Sequence, residues 1–140
     1  MKKILIAEDN PVNRELLREL LEVRGYDVCE ACNGQEALTA IAAGRPDILL
    51  LDLDMPVLDG YETIRRIRQD PRMSDLPVLA VTAYAMQGDR EKILNAGFNG
   101  YLSKPIDSVS LNREMQRLLA SSDAANPEPA GRADAAGSGS

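Results

Sequence analysis

Short apolar runs alternate five times with longer segments that carry apolar residues at helical spacing. The first run covers residues 3–7, and Leu17, Leu20 and Leu21 in the segment behind it fall on one face of a helix. Repeated strand–helix units require parallel strands, right-handed crossovers and helices on both faces of the sheet. We therefore predict a doubly wound α/β domain. Its predicted strands cover residues 3–7, 26–31, 48–51, 77–81 and 99–102.

Four of the predicted helices begin at residues that cap helix N-termini. These residues are Asn10, which precedes Pro11, and Asn33, Asp59 and Asp107. Asn33 and Asp59 each lie three positions before an acid, as in a capping box. Capping accounts for Asp59 and Asp107, so we assign neither of them to a functional site.

The length and composition predict one folded domain. The chain has 140 residues, of which 44% are hydrophobic, enough for a single core. From residue 121 onward it contains Ala, Ser, Gly, Pro and Asp but no aromatic or branched apolar residue. We predict a domain over residues 1–120 and a disordered tail over 121–140.

The charge distribution argues against nucleic acid and membranes as direct partners. The net charge is -6, and no cluster of Lys and Arg is longer than a pair. No apolar segment approaches the length of a membrane span. A divalent cation or a basic protein surface is a better match for this chain.

Cys29 and Cys32 have the C-x-x-C spacing of some thiol redox sites. A redox pair needs its first thiol exposed at a helix N-terminus, whereas Cys29 falls within a predicted strand. We therefore interpret both as half-buried thiols of a reducing cytoplasm. Without histidine or a second cysteine pair, the chain has too few soft ligands for structural zinc.

Polar residues follow four of the five predicted strands. Glu8 and Asp9 follow the first strand, Asp52 the third, Thr82 the fourth and Lys104 the fifth. In open parallel sheets, ligands bind in the crevice beyond the carboxyl ends of the strands. We expect these five residues to form one site.

Three carboxylates in one small pocket repel each other unless a proton or a cation is present. Mg²⁺ suits carboxylate oxygens and leaves coordination positions for phosphate oxygens. The pattern therefore predicts phosphoryl chemistry, with Asp52 as the nucleophile that becomes an aspartyl phosphate. Glu8 and Asp9 would hold the metal, Lys104 would pair with Asp52 and then with a phosphoryl oxygen, and Thr82 would donate a hydrogen bond.

These motifs resemble the receiver domain of two-component response regulators, over residues 2–120. The resemblance is carried by the Glu8-Asp9 pair, Asp52 within DLDMPVLDG, Thr82 within VTA and Lys104 within SKP. It implies a flavodoxin-like three-layer fold with strand order 2-1-3-4-5.

The resemblance also implies roles that spacing does not reveal. The backbone carbonyl of Asp54 would complete the ligands of Mg²⁺ or of Mn²⁺ in its place, and the Lys104–Pro105 peptide would be cis. Tyr101 occupies a switch position, although packing of an aromatic ring at the sheet edge explains it equally well. Asp54 and Tyr84 occupy positions that tune hydrolysis of the aspartyl phosphate, and Tyr84 is expected to shield the phosphoryl group from water.

The implied function is a cytoplasmic phosphorylation switch. A histidine kinase or a histidine phosphotransfer protein would donate the phosphoryl group, docking near Val12 and Leu16, although we favour core packing for Leu16. The face formed by the fourth helix, fifth strand and fifth helix would then regulate a target protein. Such a chain catalyses only its own phosphorylation and slow dephosphorylation, so it is not an enzyme in the usual sense. Met1 favours a stand-alone chain over a receiver excised from a hybrid kinase.

Three alternatives remain. A phosphorelay intermediate would pass the phosphoryl group on to a histidine phosphotransfer protein. An Asp-nucleophile phosphatase of the haloacid dehalogenase type would use Asp52 and Asp54 as its D-x-D motif, but that motif normally follows the first strand. A plain binding module would need neither phosphorylation nor Mg²⁺.

Overall fold

The structure is a computed structural model that describes residues 2–55, 58–83 and 87–124. Strands and helices alternate strictly along it, which confirms the predicted strand–helix order. In chain order the elements are β1 Lys3–Ala7, α1 Pro11–Glu22, β2 Asp27–Ala31, α2 Gly34–Ala43, β3 Ile48–Asp52, α3 Gly60–Gln69, β4 Val78–Thr82, α4 Gln87–Asn95, β5 Gly100–Ser103 and α5 Ser108–Ala124.

The five strands form one parallel sheet in the order β2-β1-β3-β4-β5, as the receiver resemblance implied. β3 lies at the centre, and all of its residues are buried. A strand covered on both faces is expected to be continuously apolar, which explains the run of aliphatic residues ahead of Asp52.

Two apolar clusters cover the two faces of the sheet. On one face, α1 and α5 pack against β1, β3 and β4, and the buried residues include Leu17, Leu21, Ile4, Ile6, Leu50, Val81, Leu111 and Met115. On the other face, residues of α2, α3 and α4 pack through a set that includes Ala37, Ile41, Ile64, Ile67, Ile93, Leu49 and Leu51. Full burial of one such aliphatic side chain contributes about 2 kcal/mol, so each helix is held mainly by its apolar stripe.

The predicted caps are confirmed. The side chains of Asn10, Asn33, Asp59 and Asp107 each accept a hydrogen bond from a backbone N–H in the first turn of their helix. Capping satisfies donors that would otherwise lack partners at the helix start. After α1, Gly25 has a φ of 88°, a left-handed conformation that favours glycine and turns the chain toward β2.

Several predicted details are wrong. Leu16 is 40% exposed rather than packed in the core, because it lies at the edge of the apolar stripe of α1. Cys32 is exposed rather than half-buried, because it follows β2 in the turn to α2, whereas Cys29 is half-buried as predicted. α5 continues to Ala124, past the domain boundary predicted at residue 120. The predicted disorder of residues 125–140 lies outside the described residues.

No helix in the described ranges is both long and apolar enough to cross a membrane.

Candidate functional site

The strand register brings the predicted site residues to one edge of the sheet. Ala7 of β1 is aligned with Leu51 of β3, and Asp52 is aligned with Val81 of β4. Glu8, Asp9 and Lys104 follow directly after their strands, and Thr82 ends β4. The parallel arrangement therefore places all five predicted residues at the carboxyl ends of neighbouring strands.

The three acids form one cluster. Glu8, Asp9 and Asp52 each present a carboxylate oxygen, and these oxygens all lie within 4.8 Å of one another. Glu8 and Asp52 are each only 1% exposed, whereas Asp9 is exposed to solvent. The cluster is therefore a half-open acidic pocket with one wall facing water.

Lys104 supplies a cation to this pocket. Its Nζ donates to Asp52 Oδ2 at 3.2 Å and lies 3.4 Å from Glu8 Oε1. Its backbone N–H donates to the carbonyl oxygen of Thr82 at 2.8 Å, which extends the β4–β5 pairing by one residue. The Lys104–Pro105 peptide is cis, as the resemblance implied.

The surroundings of Glu8 change its protonation. Burial, together with the hydrogen bond and negative charge of Asp52, raises the pKa of Glu8 to about 7. Burial opposes the charged form of Lys104, but the negative charges of Asp52 and Glu8 outweigh it and raise the pKa of Lys104. Within the described residues, the pocket therefore sets three carboxyl groups against one ammonium group.

One oxygen of Glu8 indicates how that excess charge is relieved. Oε2 accepts a hydrogen bond from the backbone N–H of Asn10 at 3.2 Å, but the buried Oε1 has no hydrogen-bond partner within the described parts of the chain. Asp52 Oδ1 accepts from the backbone N–H of Asp54 at 3.1 Å. An unsatisfied buried carboxylate oxygen beside two further carboxylates fits a hard divalent cation such as Mg²⁺.

The remaining predicted residues lie around the pocket. Thr82 is buried at the end of β4, and the side chain of Asp54 is exposed. Tyr101 is half-buried, with the guanidinium carbon of Arg90 lying 5.7 Å from its ring centroid. Tyr84 lies outside the described residues.

Sequence reasoning missed two contacts to Glu8. Asn10 was predicted only as a helix cap, yet its backbone N–H also bonds the Glu8 carboxylate. Arg14 Nη1 donates to the backbone carbonyl oxygen of Glu8 at 2.8 Å. The cap motif at Asn10 could have suggested the first contact, but no sequence signal points to the second, which depends on the placement of α1.

Two surface features lie beside the pocket. Two apolar side chains of α1 are exposed, Val12 by 75% and Leu16 by 40%. A small cleft between α1 and the β5–α5 connection is lined by Leu16, Ile106 and Pro105 and reaches Glu8 and Lys104. A larger groove of about 670 Å³ is lined by residues of α4, β5 and α5, including Leu94, Tyr101 and Arg113.

The fold and the site define a doubly wound α/β domain with an acid–lysine centre at the carboxyl edge of its sheet. The family model of the response regulator receiver domain matches residues 4–116. The chain belongs to the response regulator receiver domain family of two-component signalling.

Individual relatives agree with this assignment. The chain is 44% identical over 114 residues to an uncharacterised 14.6 kDa protein of Leptolyngbya boryana, which covers 81% of this chain and 87% of that protein. It is 42% identical over 105 residues to the polar-differentiation response regulator DivK of Brucella anthropi, covering 75% of this chain and 85% of DivK.

A solved structure with a metal is also similar. The receiver domain of the sensor histidine kinase PA1611 of Pseudomonas aeruginosa has a magnesium ion coordinated in its active-site cleft. It is 41% identical in sequence, has a TM-score of 0.79, and the match covers 85% of this chain and 98% of that one.

Proposed function

We propose that this receiver domain is a phosphorylation-activated switch in which Asp52 accepts the phosphoryl group. The observation that carries the proposal is the pairing of a buried Asp52 carboxylate with Lys104 at 3.2 Å inside a cluster of three acids. A buried acid at a strand end would be unfavourable as a purely structural element, since its burial has to be offset by the lysine.

The reaction is an in-line phosphoryl transfer. A carboxylate oxygen of Asp52 forms a bond to phosphorus while the P–N bond of a phosphohistidine donor breaks. The electron pair of that bond stays with the donor imidazole, which leaves in its neutral form after taking up a proton. Lys104 pairs with Asp52 at 3.2 Å, and its flexible ammonium group would pair with a phosphoryl oxygen after transfer without changing its charge.

Mg²⁺ or Mn²⁺, held by Glu8, Asp9, Asp52 and the backbone carbonyl of Asp54, would neutralise charge on the phosphoryl oxygens when bound. The buried Oε1 of Glu8, which accepts no hydrogen bond within the described residues, and the magnesium ion of the PA1611 receiver support this assignment.

The phosphoryl group would be read out on the α4–β5–α5 face. Thr82 ends β4 at the pocket, and its hydroxyl is the hydrogen-bond donor that we assign to a phosphoryl oxygen. Tyr101 lies on the neighbouring strand and lines the groove between β5, α4 and α5. A shift of Thr82 toward the phosphoryl group would leave room for Tyr101 to turn inward, which would change the shape of the groove that a target protein contacts.

The proposed donor is a histidine kinase or a histidine phosphotransfer protein, and we place its docking surface on the exposed Val12 and Leu16 beside the pocket. We propose that the protein acts in the cytoplasm, where such donors present phosphohistidine. It would catalyse only its own phosphorylation and slow dephosphorylation. Asp54 and Tyr84 are proposed to set the rate of that hydrolysis.

The test is labelling by a small phosphodonor. Acetyl phosphate and Mg²⁺ are added to the full chain, and intact mass is measured for the wild type, Asp52→Asn and Asp54→Asn. We expect one acid-stable, base-labile phosphoryl group per chain in the wild type and Asp54→Asn, and none in Asp52→Asn. An adduct that persists in Asp52→Asn, or no adduct in the wild type, would reject the proposal.

A relay role is the second candidate, and one comparison favours it. The similar receiver of PA1611 belongs to a sensor histidine kinase rather than to a response regulator by name. A relay intermediate returns its phosphoryl group to a histidine phosphotransfer protein. Incubation of the phosphorylated chain with such a protein would show rapid transfer in a relay, and a long-lived adduct in a terminal regulator.

A phosphatase of the haloacid dehalogenase type would instead turn over aryl phosphates many times per chain. Repeated turnover of an aryl phosphate would therefore favour the phosphatase, whereas labelling that stops at one phosphoryl group supports the receiver.

A further inference from the structure

Arg14, near the start of α1, joins the acidic pair to strand β2. Its Nη1 donates to the backbone carbonyl oxygen of Glu8 at 2.8 Å, and its Nε donates to Glu30 Oε1 at 3.3 Å. The side chain of Arg14 is 18% exposed, and its contact with the Glu8 carbonyl is partly buried, whereas its contact with Glu30 is exposed. The guanidinium fork is well suited to bridging two acceptors in this way.

The contact with Glu8 replaces a bond that the sheet no longer supplies. The backbone N–H of Glu8 donates to the carbonyl oxygen of Ala31 at 3.1 Å, which continues the β1–β2 pairing one residue beyond β1. β2 ends at Ala31, so the ladder of sheet hydrogen bonds between β1 and β2 does not continue to the Glu8 carbonyl as β2 pairing. Arg14 therefore satisfies the Glu8 carbonyl at the point where the chain leaves the sheet.

This carbonyl belongs to the peptide that joins Glu8 to Asp9. Because a peptide group is planar, a hydrogen bond to its oxygen restricts the orientation of both flanking Cα atoms. Glu8 and Asp9 are two of the three acids in the cluster, and one is buried while the other faces solvent. Holding their shared peptide restricts the directions in which the two side chains leave the backbone toward Asp52.

We propose that Arg14 is a positioning residue for divalent cation binding, acting through the Glu8–Asp9 peptide. This inference rests on the proposed function, in which the acidic cluster binds Mg²⁺. Within the described residues, the hydrogen bonds of Arg14 go to Glu30 and the Glu8 carbonyl, not to a carboxylate of the acidic cluster. Its effect comes from holding the two ligands in a binding geometry before the cation arrives, which reduces the ordering that binding requires.

Arg18 provides a matched control. Its Nη1 donates to Glu30 Oε2 at 2.6 Å and its Nε to Glu22 Oε2 at 3.0 Å, so it shares the β2 partner of Arg14. Its hydrogen bond to Glu30 is the main cause that lowers the pKa of Glu30, and Arg14 adds to that effect. No hydrogen bond or ion pair of Arg18 in the described parts of the chain reaches Glu8.

Loss of the positive charge of Arg14 and loss of its positioning bond predict opposite effects on Mg²⁺ affinity. Removal of a positive charge near a cation site strengthens cation binding by Coulomb's law. Loss of the bond to the Glu8 carbonyl loosens two ligands and weakens binding. A variant that binds Mg²⁺ less tightly after losing a positive charge therefore cannot be explained by charge alone.

The experiment is calorimetric titration of the full chain with MgCl₂ in the absence of any phosphodonor. Wild type, Arg14→Gln, Arg14→Lys and Arg18→Gln are compared, and urea unfolding in EDTA checks that each is folded. We expect Arg14→Gln to bind Mg²⁺ about tenfold more weakly, as loss of a group that orients metal ligands commonly causes, and Arg18→Gln to stay within about twofold of wild type. Arg14→Lys keeps the charge and one donor, so it should recover part of the loss.

Equal or tighter Mg²⁺ binding by Arg14→Gln would overturn the proposal, as would an equal loss in Arg18→Gln. If the wild type binds Mg²⁺ and Arg14→Gln is unaffected, only the positioning role fails. If the wild type binds no Mg²⁺, the proposed metal site fails and the positioning role fails with it.

Discussion

Replacement of Glu8 by glutamine should stabilise the Mg²⁺-free protein at neutral and alkaline pH. Glutamine keeps the size of the side chain and an oxygen that can accept from Asn10, but it removes one of two buried charges that lie beside each other. The native state holds the Glu8 proton more tightly than the unfolded chain does, since the pKa of Glu8 is raised from 4.5 to about 7 by burial and by Asp52.

The sign and size of the effect follow from proton linkage. A group with a raised native pKa contributes stability below its unfolded pKa of 4.5, and that contribution is lost as the pH rises through about 7. At 1.36 kcal/mol per pKa unit, the full loss is about 3 kcal/mol. The variant should therefore match the wild type near pH 4.5 and exceed its free energy of unfolding by up to that amount near pH 8.

The assay is urea unfolding of both proteins in EDTA at a series of pH values between about 4.5 and 8, read by far-ultraviolet circular dichroism. Repeating the series in Mg²⁺ should remove or reverse the advantage of the variant, because the cation stabilises only the protein with a complete ligand set. A difference that does not change with pH, or a variant less stable than wild type near pH 8 without Mg²⁺, would refute the reasoning.

Three further predictions concern the lysine and the packing of the helices. Lys104→Met should lower the free energy of unfolding by about 2 kcal/mol in EDTA and by less in Mg²⁺, because the metal replaces the missing positive charge; an equal loss in both buffers would contradict this. Arg68 donates to three backbone carbonyl oxygens around β4 and to Asn99 Oδ1, so Arg68→Met should cost about 3 kcal/mol in urea unfolding. The exposed Arg65→Met should cost under about 0.5 kcal/mol, and similar losses in the two variants would remove the assigned role of Arg68. Gly34→Ala would place a Cβ 2.6 Å from the backbone carbonyl oxygen of Leu58 and against the hydroxyl of Thr63. Thermal unfolding should therefore show a free energy of unfolding lower by about 2 kcal/mol. An unchanged melting temperature would contradict the close approach of α2 to α3.

The sequence was sufficient to place the main site residues at the carboxyl ends of the strands. Parallel pairing forces the carboxyl ends of strands together, so Asp52, Lys104 and the acidic pair could be placed at one site from their positions after the apolar runs. The Asp52–Lys104 pairing also follows, since opposite charges at one sheet edge attract each other.

Other features depend on distances that a linear pattern does not contain. The sequence does not indicate that Glu8 is buried and Asp9 exposed, because the two acids are adjacent and their burial depends on which side of the strand end each one faces. Helical spacing identified the apolar stripe of α1 but not its width, so Leu16 was assigned to the core when it is exposed. The bond from Arg14 to the Glu8 carbonyl requires the docking of α1 beside β2, which only the tertiary structure shows.

The central claim is that Asp52 is the residue that carries the phosphoryl group. After reaction with acetyl phosphate and Mg²⁺, borohydride reduces an acyl phosphate to an alcohol, and peptide mass spectrometry locates the reduced side chain. The account predicts a single reduced position, residue 52, in the wild-type chain. Reduction at another acid of the cluster, or at none, would contradict it.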